Sequence, residues 1–135
     1  MNSKLFPDWV PRIGLQLRLA GVHFDAVRVG GTGGEAAVHL LAILTRGRPG
    51  PVVREVKGPC WTYFLLAPGA AQERDWPPGA RGFGRSVRAE YIGVPAPVGN
   101  TYPLSWCSGA PGIGEFVDAE LLHGVLSAEL LRPPE

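Results

Sequence analysis

Lysine is scarce in this chain: of its 13 basic residues only Lys4 and Lys57 are lysines, and the other 11 are arginines. That skew fits a GC-rich genome as well as selection for arginine chemistry. A net excess of charge of either sign is also lacking. A formal net charge of +1 gives no global signature for nucleic acid, an acidic partner or a membrane surface. Cysteine occurs only as Cys60 and Cys107, with no CxxC spacing, which excludes a disulfide framework and a zinc-finger ligand set. Cys60 reads as a small core residue. No apolar span reaches the length of a membrane helix, and residues 1–8 hold no apolar run after Lys4 that would make a signal peptide. No membrane association and a reducing cytoplasm are expected. Neither a G-x-S-x-G nor an H-E-x-x-H pattern occurs, so hydrolase and zinc-protease chemistry have no motif here.

What is present is a compact apolar pattern over 135 residues, read as a single domain with a lead-in at 1–12 and a tail at 132–135. The stretch Lys57-Gly58-Pro59-Cys60-Trp61-Thr62-Tyr63-Phe64-Leu65-Leu66 organises it, with residues 52–56 leading in. Two apolar runs flank a Gly-Pro break, predicting a hairpin of 52–56 and 60–66 whose second strand is central. Tyr63, Phe64 and Leu66 cannot all face one way, so both faces of the sheet should be covered there.

Ile13, Leu15, Leu17 and Leu19 alternate with polar or small residues and argue a strand, although Ile13 and Leu17 also fit a helix. Trp9 reads as an anchor between Pro7 and Pro11. Residues 24–29 form a second apolar strand. The helix that follows, over 35–44, is apolar on much of its surface and should be well buried, with Thr32 as N-cap, Glu35 three residues on and Gly47 as its stop. Residues 68–84 read as a loop in which Trp76 is an anchor. Residues 87–94 read as a strand, and 102–107 as a short edge strand. Asp118 caps a last helix, stopped by Pro133-Pro134. Strands clustered between helices and joined by short turns predict an α+β fold, a mainly antiparallel sheet with two principal helices packed on it.

Two segments could carry binding chemistry. Gly31-Thr32-Gly33-Gly34-Glu35-Ala36 matches a loose G-x-G-x-x-A loop between a strand and a helix, where Gly31, Gly33 and Gly34 would let backbone N–H groups approach a pyrophosphate. Glu55 falls near the place of a ribose-binding acid. Against this, hairpins follow instead of further crossovers, so a plain glycine turn before a helix competes with it. Arg81-Gly82-Phe83-Gly84-Arg85-Ser86-Val87-Arg88 is the one basic, aromatic-bearing segment. There Arg81, Arg85 and Arg88 could hold phosphates beside an exposed Phe83, or the segment could be a solvated loop. His23, His39 and His123 are far apart, and a metal site from His23, Asp25 and Glu90 has no characteristic spacing, so no metal or other cofactor is expected.

Gly50-Pro51-Val52-Val53, then Tyr63-Phe64-Leu65-Leu66-Ala67-Pro68-Gly69, then Tyr91-Ile92-Gly93-Val94-Pro95-Ala96-Pro97 follow in order, with Tyr102 and Trp106 behind them and Phe24-Asp25-Ala26-Val27-Arg28-Val29 ahead. This layout resembles the bifunctional DNA primase/polymerase (prim-pol) domains common in actinobacteria and their phages and plasmids, over about residues 21–131. The resemblance implies closely spaced acids holding two divalent metals for nucleotidyl transfer. No Asp-x-Asp occurs here, Asp25 stands alone, and Cys60 and Trp61 occupy the region of that family's histidine. The implied protein is a shortened, catalytically silent relative. It would be an accessory or regulatory domain that binds a protein or nucleic-acid partner, or pairs with itself through an edge strand such as 102–107. The alternative is a nucleotide-binding protein or small enzyme using Gly30 to Gly34.

Overall fold

A computed structural model describes residues 5–131; the Pro133-Pro134 stop, the tail and the first four residues of the lead-in lie outside them. The chain runs β1 (Leu15–Leu19), β2 (Asp25–Gly30), α1 (Gly31–Leu44), β3 (Val52–Glu55), β4 (Trp61–Leu66), a short 3-10 turn (Ala70–Glu73), β5 (Ala80–Phe83), β6 (Tyr91–Pro95), β7 (Leu104–Trp106) and α2 (Ala119–Leu130). Five strands form one sheet in the order β5-β2-β4-β3-β7, and β1 and β6 form a separate two-stranded sheet. Every pairing is antiparallel. This is the α+β arrangement read from the sequence. Among the described residues no helix is long and apolar enough to cross a membrane.

β4 is the middle strand, and period-2 geometry splits its side chains between two cores. Phe64 and Leu66 join Val27, Val29 and Val52 under α1 and α2, where Leu41, Leu122 and Leu126 close the layer. Leu65 faces the other way, with Ala26, Val53 and Phe83, beneath Ile92 and Val94 of β6 and the Trp9–Phe24 pair, whose ring centroids are 4.9 Å apart. Both faces of β4 are therefore covered, and Trp9 is the anchor its flanking prolines suggested.

Several sequence readings are corrected. Cys60 is not a core residue: it is exposed, at a positive φ of 59° in the turn before β4. Thr32 is not the N-cap of α1. The β2–β4 ladder continues to Gly30, and the Gly31 N–H donates to the Cys60 carbonyl at 2.9 Å, so strand passes into helix at Gly30 with no residue to spare and no side-chain cap. Nor is α1 buried all round. Ala37 and Leu41 face the core, while Ile43 and Leu44 are more than half exposed at its end. Residues 68–84 are not all loop: they contain the 3-10 turn and β5, a strand of four residues that exists because β2 offers it a free edge. The strand expected at 87–94 begins only at Tyr91, because the Ser86 side chain and the Arg88 backbone close a tight turn before it.

The other boundaries follow their sequence signals. Asp118 accepts the Leu121 N–H at 2.9 Å and caps α2. Trp76 anchors its loop by donating from Nε1 to the Ala71 carbonyl at 2.8 Å. β7 is an edge strand on β3.

Candidate functional site

β6 and Trp9 cover one end of the sheet face opposite the helices, and the other end is open enough to leave a row of polar side chains half-exposed. Register places Arg81 of β5 opposite Arg28 of β2, and Arg28 opposite Tyr63 of β4. Alternation along β4 and β5 adds Trp61 and Phe83 to the same face. The result is a layered stack of cations and rings. The Arg28 guanidinium lies 4.0 Å from the Trp61 ring centre and 5.2 Å from that of Phe83, and the Arg81 guanidinium lies 4.1 Å from Phe83. Guanidinium groups over aromatic faces are attracted by the ring quadrupole and kept planar and oriented.

Gly30 makes room for the stack. A β-carbon there would come within 3.0 Å of the Trp61 ring, which leans over the backbone at that point. Tyr63 sits at the stack's inner edge. Burial pushes its hydroxyl above the ordinary tyrosine range and the charge of Glu55 adds to that, while Arg28 and Arg81 pull the other way.

Charge is only partly balanced. Arg81 forms an ion pair with Glu90, the residue before β6. Among the described residues Arg28 has no acidic partner, and its Nε is buried without an acceptor. Two arginines directly opposite in an antiparallel pair repel each other. The stack thus presents two opposed guanidinium groups, of which only that of Arg81 is ion-paired among the described residues.

Of the residues singled out from the sequence, Arg81 and Phe83 belong to this stack. Phe83 is only 6% exposed, however, so its ring lies beneath the arginines and offers no free face to a base. Arg85 and Arg88 lie exposed in the loop before β6; the Arg85 carbonyl accepts from the Gln72 side chain, and Arg88 closes the turn with Ser86. Arg28, Trp61, Tyr63 and Glu90 were missed as a group. The available signal was a lone arginine inside the apolar run 24–29 and aromatics at alternate positions 61 and 63.

Two of the three glycines singled out in the glycine segment have close neighbours. Gly31 bonds the β3–β4 turn as described. A β-carbon on Gly33 would reach within 3.0 Å of Leu130, and one on Gly34 within 2.6 Å of the Thr62 hydroxyl.

Asp25 is fully buried, and its Oδ2 accepts the Ala71 N–H at 3.0 Å, capping the 3-10 turn from β2. His23 is exposed, and no grouping of three or more His, Cys, Asp or Glu side chains that could hold a metal occurs among the described residues. Elsewhere, Arg54 and Glu35 pair at 2.8 Å on the helix-covered face, and burial raises the Cys107 thiol. No family model, curated protein or solved structure matches this chain.

Proposed function

We propose that this chain is a non-catalytic accessory or regulatory domain that binds a nucleic-acid strand across the open end of its five-stranded sheet. The observation that carries this reading is the opposed pair Arg28 and Arg81, held over Trp61 and Phe83 with only Arg81 neutralised. Opposed like charges lower stability, and a phosphate lying between them would relieve that repulsion. Arginine suits the task because its planar fork matches two phosphate oxygens at once.

The non-catalytic part of the reading rests on Asp25. It stands alone in the sequence, and its buried carboxylate serves a backbone amide. The test is fluorescence anisotropy with a labelled single-stranded oligonucleotide, a duplex of the same length and a polyglutamate peptide at equal charge. Preferential single-strand binding supports the reading. Equal or stronger binding of the acidic peptide would make the partner a protein.

A further inference from the structure

We infer that Glu90 is an internal competitor of the strand's phosphate, so that binding proceeds by exchanging the Glu90 carboxylate for a phosphate oxygen at Arg81. The inference rests on the nucleic-acid reading of the stack and names the residue that sets its strength. Glu90 is well placed for this. Its backbone carbonyl accepts the Ala20 N–H at 2.8 Å, and the next residue, Tyr91, is paired with Leu19. The carboxylate is therefore delivered to Arg81 from a fixed backbone and not from a mobile loop tip. Its side chain is 20% exposed and that of Arg81 is 52% exposed, so the pair sits at the water boundary where a ligand can reach it.

Two opposing effects follow from that position. In the free protein Glu90 compensates one half of the Arg28–Arg81 repulsion and so helps hold the stack together. In the complex the same carboxylate, left beside a phosphate, repels it. Neutralising Glu90 should thus strengthen binding while slightly weakening the free fold. A residue with a purely structural role would not give those opposite signs.

The experiment compares wild type, Glu90→Gln, Arg81→Gln and the double variant, using a labelled oligothymidylate and a salt titration. Melting curves confirm that each is folded. Glu90→Gln is expected to bind about two- to five-fold tighter near 0.1 M salt, the range for one exposed ion pair. Its slope of log affinity against log salt should stay near that of wild type, because the same two guanidinium–phosphate contacts form in both. The gain should vanish in the Arg81→Gln background, since it acts through that guanidinium. Wild type that binds while folded Glu90→Gln binds equally or more weakly overturns the inference and leaves the site intact. If neither binds, the nucleic-acid reading itself falls and the inference with it. Binding by Glu90→Gln alone, lost in the double variant, would support both.

Discussion

Gly34 and Thr62 touch across the α1–β4 interface so closely that a methyl group on Gly34 would come within 2.6 Å of the threonine hydroxyl and 3.0 Å of its β-carbon. Thr62 is 1% exposed and cannot swing away. The glycine is there to let the helix lie on the sheet. Gly34→Ala should therefore destabilise by about 1–3 kcal/mol, as overpacking does, and Gly34→Ala with Thr62→Ala, which removes the hydroxyl, should recover part of the loss. A dinucleotide role for the segment predicts a different result. NAD, NADP or ATP at millimolar concentration would then raise the melting temperature by mass action, whereas almost no shift is expected here. A Gly34→Ala protein as stable as wild type would contradict the packing assignment.

Phe64 is fully buried between the middle strand and the helices. Phe64→Ala should cost about 3–5 kcal/mol, the range for a buried phenylalanine. For a chain of this size that is a fall of about 10 °C or more in Tm. A soluble variant melting within a degree or two of wild type would mean that β4 is not the centre of the core.

Much of this core is visible in the primary structure, and the reasons are local. Residues 24–29 and 61–66 are apolar on both parities, as strands covered on two faces must be, and Asp118 announces α2 with its own side chain. β5 was hidden because Ala80-Arg81-Gly82-Phe83 is short, glycine-bearing and stabilised only by pairing with a strand far earlier in the chain. The same non-local register makes the candidate site. Arg81 and Phe83 could be picked out from their basic, aromatic neighbourhood, but Arg28 and Trp61 become their neighbours only once β2 is placed between β4 and β5. Cys60 was misread because hydrophobic composition says nothing about a turn that needs a positive φ.

Alkaline pH should weaken the fold. Burial raises both the Tyr63 hydroxyl and the Cys107 thiol. Each group therefore holds its proton more tightly folded than unfolded, and the stability this gives is complete below the unfolded values of about 8.5 for a thiol and about 10 for a phenol. Above them the unfolded chain loses protons first, so stability falls as pH rises through the folded values. Urea midpoints measured from pH 7.5 to 10.5 in reductant should decline, and the decline should be shallower in Tyr63→Phe and in Cys107→Ala. A midpoint independent of pH over that range would contradict the burial of both groups.

The salt dependence of oligonucleotide binding decides whether the Arg28–Arg81 stack is an interface. Two guanidinium–phosphate contacts on a single strand give a slope of log affinity against log salt near −1.4, at about 0.7 per contact. Arg28→Gln and Arg81→Gln should each bring it to about −0.7, and the double variant should abolish measurable binding while melting as a folded protein. Arg85→Gln and Arg88→Gln, in the exposed loop outside the stack, should leave the slope nearly unchanged. A folded Arg28→Gln/Arg81→Gln protein that binds single-stranded oligonucleotide with the wild-type affinity and slope would contradict the assignment.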